Sequence, residues 1–157
     1  MQRLDDIDLE ILRILQRNSN LTIKELAAKI NLSTTPTFER QKRLEREGFI
    51  KKYVAVLDAD KLGKGFEVFC NVKLKQLNKD VAQEFTDEIQ KIPEVIDCYN
   101  ISGQFDYLLH IYVSDMKYYR DFIINVLGCI DSVGSLQSVF VMDRIKNSVG
   151  FPIQRNL

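Results

Sequence analysis

Residues 32–48 read LSTTPTFERQKRLEREG, a segment with the marks of a helix whose two ends are both defined. Small hydroxyl residues precede Pro36, which suits a first helical turn, and Gly48 suits the left-handed residue that ends a helix. A helix with small hydroxyls in its N-terminal turn can enter the major groove of DNA and meet phosphates with its N–H groups. A solvated charged helix is the ordinary alternative.

Basic residues are concentrated around this segment, although the chain of 157 residues has a net charge of zero. Between residues 24 and 52, eight side chains are basic and four are acidic. A local excess of this kind is typical of a DNA-reading face, whereas overall neutrality argues against a polycation that coats nucleic acid. Lys51 and Lys52 continue the basic stretch along the chain that leaves the helix.

Two shorter helices are predicted before the charged one. Asp5 and Asp8 have the spacing of an N-cap and its N3 partner and predict a helix to about Arg17. Thr22 and Glu25 form the capping box of the next helix.

A tight turn at Asn31 separates the last two of these three helices, and the arrangement predicts a helix-turn-helix domain over residues 1–53. Within the third helix, Phe38 and Leu44 are expected to point to the core. Gln41 lies between them, where an apolar side chain would be expected.

Beyond a linker at residues 54–65, the hydrophobic period changes from that of a helix to that of a strand. Strands are predicted over residues 66–74, 95–101, 105–113 and 133–142. Helices are predicted after the caps Asn78 and Ser114, ending at Pro93 and Gly128. The order βαββαβ predicts an antiparallel sheet with both helices on one face, so the second domain, residues 66–157, is ferredoxin-like and the chain is α+β.

The three cysteines, Cys70, Cys98 and Cys129, are too far apart for a disulfide framework or a zinc site. Buried, reduced thiols are expected. Acidic residues from Asp5 onward argue against a signal peptide, and no apolar run is long enough to span a bilayer. We therefore expect a cytoplasmic protein with no metal and no membrane partner.

Short motifs along the whole chain are similar to those of one regulator family. They are Leu4-Asp5 with Asp8, Ile11 and Leu12; Glu25-Leu26-Ala27; Leu32-Ser33; Arg40 with Lys42-Arg43-Leu44-Glu45; Gly48-Phe49-Ile50; Pro93-Glu94-Val95; and Gly103-Gln104-Phe105-Asp106-Tyr107. In this order they resemble the Lrp/AsnC (leucine-responsive, or feast-famine) transcription regulators. The chain departs from that pattern at Gln41, usually aliphatic, at Asn31, often Gly, and at Ser138, often Thr.

The resemblance implies a winged-helix-like head and a RAM-type ferredoxin-like domain in a sequence-specific regulator of double-stranded DNA. It also implies a homodimer formed by sheet-to-sheet contact, assembled further into octamers or related rings. An amino-acid effector, with no other cofactor, is implied between dimers near Gly103, Gln104, Phe105, Asp106 and Ser138. Gly103 would let the backbone approach a ligand, and Asp106 could accept from an ammonium group; an aspartate that only bonds its own hairpin is the ordinary alternative.

The predicted DNA contacts are the hydroxyls and cations of the third helix and its exit segment. They are Ser33, Thr34, Thr35, Thr37, Arg40, Lys42, Arg43, Arg46, Lys51 and Lys52.

Rival classes fit the sequence less well. An enzyme would need a nucleophile–base pair or a phosphate-cradling loop, and the single histidine, His110, lies in an apolar strand, so no catalytic residue is assigned. An amino-acid sensor acting through protein partners instead of DNA would not need the basic third helix. An RNA binder would need an aromatic-rich strand pair, which is not seen.

Overall fold

The structure is a computed structural model that describes residues 4–148 and 150–154. It divides into two compact units, here called the head and the body. The head runs to Val56 and takes in the tail from Lys146, whereas the body spans Leu57–Ile145. The outer ends of the two predicted domains, residues 1–3 and 155–157, lie outside the described residues.

The head contains three helices, α1 (Asp6–Arg17), α2 (Ile23–Lys29) and α3 (Thr34–Arg46). The predicted capping boxes of Asp5 with Asp8 and of Thr22 with Glu25 are both present. Asn31 has a φ of 54°, the left-handed conformation that the turn before α3 requires. Ser33 is the N-cap of α3, but its side chain makes no capping hydrogen bond.

The head core is formed by Ile11, Leu15, Leu26 and Leu44. The prediction for Leu44 is confirmed, whereas the prediction for Phe38 is wrong: its side chain is 43% exposed. Thr37, one residue before Phe38, is buried instead. The buried face of α3 is therefore rotated relative to the predicted one.

The tail packs on α1. The Gln16 side-chain amide donates to the Phe151 carbonyl at 2.8 Å and accepts from the Phe151 amide at 3.3 Å, and Arg13 Nε donates to the Ile153 carbonyl at 2.9 Å. The sequence placed this tail in the second domain, and the structure places its described part with the head. The bonds go to the tail backbone, so side-chain patterns in the tail could not indicate its partner.

The body contains four strands and two helices in the order βαββαβ. The elements are β1 (Phe66–Leu74), α4 (Lys79–Ile89), β2 (Val95–Asn100), β3 (Tyr107–Val113), α5 (Met116–Asn125) and β4 (Val133–Phe140). The strands form one antiparallel sheet in the order β2-β3-β1-β4. The ferredoxin-like prediction is confirmed.

Both body helices cover the same face of the sheet. Alternate residues of β1 and β3 pack against Phe85 of α4 and against Tyr119 and Phe122 of α5. Asn78 caps α4 as predicted, but Asp115, not Ser114, caps α5. Helix α5 ends at Asn125 and a short 3-10 turn, Leu127–Cys129, follows it.

The cysteines are reduced, but only Cys70 is buried; Cys98 and Cys129 are exposed. Cys98 lies on β2, an edge strand, which explains its exposure. Among the described residues, no helix is long and apolar enough to cross a membrane, and no His, Cys, Asp and Glu cluster could hold a metal ion.

Candidate DNA-binding face and effector loop

One side of α3 is tied to the start of α1 by ion pairs. Arg43 Nη2 lies 2.5 Å from Asp8 Oδ2, and Arg40 Nη1 lies 2.8 Å from Asp8 Oδ1. The same Arg40 nitrogen lies 2.7 Å from Asp5 Oδ2. Asp8 is only 1% exposed, and its carboxylate also accepts from the Asp5 amide at 3.1 Å. Both arginines therefore use donors inside the head.

The charges of this cluster stabilise one another. Burial disfavours the ionised form of Asp5, but the hydrogen bonds from the Asp8 amide and from Arg40 outweigh that effect and lower the pKa of the Asp5 carboxyl. The hydrogen bond to Asp5 in turn raises the pKa of Arg40. The pair stays ionised at neutral pH.

Thr37 does not belong to the DNA-facing set that the sequence predicted. Its side chain is 0% exposed, and its hydroxyl donates to the Ser33 carbonyl at 2.8 Å. A hydroxyl bonded one turn back inside a helix cannot reach a base from this position. We therefore assign Thr37 to the interior of the head.

The other side of α3 and the segment after it are open to solvent. The predicted contacts exposed there are Ser33, Thr34, Thr35, Lys42, Arg46, Lys51 and Lys52. Lys42 Nζ lies 2.6 Å from Glu45 Oε2 and 5.8 Å from the centre of the Phe38 ring. An exposed pair of this kind is weak enough to exchange for a phosphate. This surface, hydroxyl-rich at the helix N-terminus and basic beyond it, is here called the α3 face.

The loop between β2 and β3 has an exposed tip and a buried base. Gly103 has a φ of 113°, which other residues rarely adopt, and nothing lies within 4 Å of the position its Cβ would take. Gln104 beside it is exposed and Phe105 is half-buried. The open backbone at Gly103 can therefore be approached by a ligand.

Asp106 forms the base of this loop and is 5% exposed. Its Oδ2 accepts from the Leu74 amide at 2.8 Å, and its Oδ1 lies 3.1 Å from Lys73 Nζ. The Leu74 hydrogen bond, followed by the Lys73 charge, lowers the pKa of Asp106 against the opposing effect of burial. The carboxylate thus holds the loop to the end of β1. This role is structural, but it differs from the bond within its own hairpin that the sequence left open.

Ser138 lies apart from the loop within one chain. Its hydroxyl is 2.6 Å from the hydroxyl of Tyr119, whose pKa burial raises far above the ordinary value. Ser138 pairs with Cys70 on β1, whereas Asp106 bonds four residues further along that strand at Leu74. Four residues of strand span about 13 Å. A ligand touching both would have to be long, or would need Ser138 from a second copy.

The sheet face opposite the body helices carries a polar cluster that the sequence did not indicate. His110 Nε2 lies 2.5 Å from Glu67 Oε1, and the His110 ring stacks on Phe69 with centroids 4.5 Å apart. Arg144 also bonds Glu67 and the Tyr112 hydroxyl. No described element of the body covers this face. The alternation of β1 shows that a second face exists, but it could not show which charges meet there.

Asp8 is the main site residue that sequence reasoning missed. The capping-box spacing pointed to Asp8, but only as a helix cap. A signal was present in the helical spacing: Asp8 lies on the same helix face as the apolar Leu4, Ile11 and Leu15. A carboxylate at such a position is expected to need a cation.

Two family models cover nearly all of the chain. A winged helix-turn-helix DNA-binding domain matches residues 4–51, and an Lrp/AsnC ligand binding domain matches residues 67–151. The chain belongs to the Lrp/AsnC family. Members of this family are DNA-binding transcriptional regulators with a ligand-binding domain, and this protein is one of them.

Relatives of this Lrp/AsnC protein match over almost their full lengths. The Bkd operon transcriptional regulator of Pseudomonas aeruginosa is 38% identical, covering 92% of this chain and 95% of the relative. The leucine-responsive regulatory protein of Escherichia coli is also 38% identical, covering 92% and 88%. A transcriptional regulator of Neisseria meningitidis, crystallised with L-Met, has a TM-score of 0.92 at 34% identity, covering 96% and 97%.

Proposed function

We propose that this Lrp/AsnC regulator binds double-stranded DNA as a homodimer through the α3 face and responds to an amino acid held near Gly103. The observation that carries the proposal is the two-sided character of α3. Its inner side is committed to α1, and its outer side presents small hydroxyls and cations to solvent.

The α3 face suits the two kinds of contact that DNA recognition needs. Thr34 and Thr35 in the first turn are small, so the helix N-terminus and its N–H groups can approach a phosphate. Lys42 and Arg46 lie further along the helix, where side chains can reach both base edges and backbone. Two heads of a dimer would place this helix in successive major grooves, about one helical turn apart.

Salt dependence tests the DNA-binding proposal. Lys42, Arg46, Lys51 and Lys52 give four exposed cations on the α3 face of each head. A dimer that neutralises eight phosphates through them should show a log–log salt slope of about −7. The double variant Lys51→Ala/Lys52→Ala should reduce that slope to about −4. The measurement is fluorescence anisotropy of a duplex selected from a random library.

Lys91→Ala is the matched control, because Lys91 is an exposed lysine on the body and its Nζ lies 2.7 Å from Glu88 Oε1. It should leave the slope unchanged. An unchanged slope in the double variant, or a flat response of the wild-type protein, would contradict the proposed face.

The uncovered sheet face supports the homodimer. Phe69 and Val139 lie on this face beside the His110 cluster, and Val139 is 47% exposed. A second copy docked sheet to sheet would bury these apolar groups and pair the surrounding charges. Val139→Glu should shift the mass measured by light scattering from dimer or octamer to monomer; Glu84→Gln, on the helix side, is the control. A Val139→Glu protein of wild-type mass would contradict this interface.

The open loop tip supports the amino-acid effector. Because both Asp106 oxygens are engaged inside the protein, we assign ligand contact to the Gly103 backbone and to Gln104 and Phe105, with Ser138 supplied by a neighbouring copy. The L-Met bound by the N. meningitidis regulator makes L-Met the first amino acid to test.

A thermal-shift screen of the twenty amino acids tests this assignment. A ligand at 100 times its Kd should stabilise the protein by about 2.7 kcal/mol. Gln104→Ala should weaken the response without lowering the melting temperature of the free protein, because Gln104 is exposed. A Gln104→Ala protein with the wild-type response would remove this side chain from the site.

A further inference from the structure

The buried carboxylate of Asp8 has a larger role than capping α1. The carboxylate holds two arginines that lie one turn apart on α3. Arg43 Nη2 lies 2.5 Å from Asp8 Oδ2, and Arg40 Nη1 lies 2.8 Å from Asp8 Oδ1. Asp5 adds a third contact to Arg40 at 2.7 Å. These bonds join residues more than 30 positions apart in sequence, so they fix the rotation and position of α3 against α1.

The arginines are turned inward by this arrangement. Arg43 Nε is buried and has no hydrogen-bond partner among the residues that the structure describes. The Arg43 guanidinium is therefore held within the head through Nη2, by a charge-assisted hydrogen bond to the Asp8 carboxylate. The side chains of Arg40 and Arg43 are only 27% and 31% exposed.

We propose that Asp8 is the positioning residue of the DNA-reading helix, acting through Arg40 and Arg43, which set the angle of α3 and do not neutralise phosphates. This inference rests on the proposed DNA-binding function. It revises the role that the sequence suggested for the two arginines. The phosphate-facing charge then comes from the four exposed cations of the α3 face.

The variant Asp8→Asn distinguishes a positioning role from a purely electrostatic one, because the two predict opposite changes in DNA binding. Removing a negative charge near a DNA-binding face should strengthen binding if charge alone matters. If Asp8 orients α3, the asparagine can no longer hold two guanidinium groups, and the base contacts are lost while phosphate contacts persist. Sequence discrimination should therefore fall more than overall affinity.

The assay compares affinity for a selected duplex with affinity for a shuffled duplex of the same composition, using the full-length protein. We expect Asp8→Asn to lower the ratio of the two affinities roughly tenfold, the loss expected from a weakened charge-assisted hydrogen bond. Affinity for the shuffled duplex should stay within about twofold of wild type, because the phosphate-facing cations are unchanged. A fraction of unfolded protein would lower both affinities equally and leave the ratio intact.

Asp6→Asn is the matched control, since Asp6 is an exposed acid on the same helical turn. It should keep the wild-type ratio. Lys51→Ala should lower both affinities together. An Asp8→Asn protein with the wild-type ratio, or with tighter binding to both duplexes, would overturn the positioning role.

Arg43→Lys keeps the inference testable if Asp8→Asn does not fold by circular dichroism. It preserves the charge but not the planar fork that reaches Asp8. A reduced affinity ratio with an unchanged salt slope supports positioning, whereas a wild-type ratio overturns it. Failure of the wild-type protein to bind DNA would contradict the proposed function itself, so the two failures are distinguishable.

Discussion

Replacing Asp106 by alanine should destabilise the body rather than act on an effector alone. The substitution leaves the buried Leu74 amide, now bonded at 2.8 Å, without an acceptor. An unpaired buried donor costs about 1–3 kcal/mol. The Lys73 pair adds less than about 1 kcal/mol, since the lysine side chain is 44% exposed. A total of about 2 kcal/mol corresponds to a fall in Tm of roughly 8–16 °C for a unit of this size.

Urea unfolding followed by tyrosine fluorescence measures this effect in the right unit. The chain has six tyrosines and no tryptophan, and only Tyr53 lies outside the body. The tyrosine signal therefore reports mainly on the fold that Asp106 supports. Asp87→Ala, an exposed acid on α4, is the control and should leave the midpoint nearly unchanged.

The pH dependence provides an independent check. The pKa of Asp106 is held below its ordinary value of 3.8 by the hydrogen bond from the Leu74 amide. Because the folded pKa is below the unfolded one, the contribution is fully present above pH 3.8 and is lost as the pH falls through the folded pKa. The gap in stability between wild type and variant should be constant near neutral pH and close in strong acid. Equal midpoints at pH 7 would refute the assigned role.

Substitutions at three further positions test other contacts. Tyr119→Phe should cost the body about 1 kcal/mol in urea unfolding, because Ser138 loses its 2.6 Å partner; an unchanged midpoint would contradict that bond. Asn78→Ala should cost about 1 kcal/mol by removing the cap of α4, and Asn78→Ser should restore most of it. Arg43→Ala should cost the head about 3 kcal/mol, measured by circular dichroism, since Asp8 stays buried with fewer partners; wild-type stability would show that this pair contributes little.

The helices and strands and their order could be predicted from the sequence, because each depends on a local signal. Capping boxes within four residues set the starts of α1 and α2, and the change of hydrophobic period marked the body. The ferredoxin-like sheet followed from the order of elements. Ser114 and Asp115 are both suitable N-cap residues, so the sequence could not decide between them. Helix α5 begins at Met116, one residue later than a Ser114 cap would imply, and Asp115 is its cap.

The contacts of the candidate site join residues that are far apart in sequence, and no local sequence pattern indicates them. The sequence predicts that Arg40 and Arg43 contact DNA, but the tertiary fold brings Asp5 and Asp8 to them. The helical pattern predicts that Phe38 points to the core, but its side chain is 43% exposed. The small Thr37 is buried in its place, since its hydroxyl is satisfied within the helix.

Gln41, the residue without an explanation in the sequence, acquires one in the head. Its side-chain nitrogen donates to the Tyr53 hydroxyl at 2.9 Å and to Glu45 at 3.2 Å, and the Tyr53 hydroxyl donates to Glu45 at 3.0 Å. An aliphatic residue could not close this triangle.

The triangle ties α3 to the segment that follows it, and that segment carries Lys51 and Lys52. Burial, reinforced by Glu45, raises the pKa of the Tyr53 hydroxyl, so it remains a donor at neutral pH. Asp8 on one side of α3 and the Gln41 triangle towards its end therefore hold separate parts of one basic surface. The polar residues that looked least suited to an amphipathic helix are the ones that position its cations.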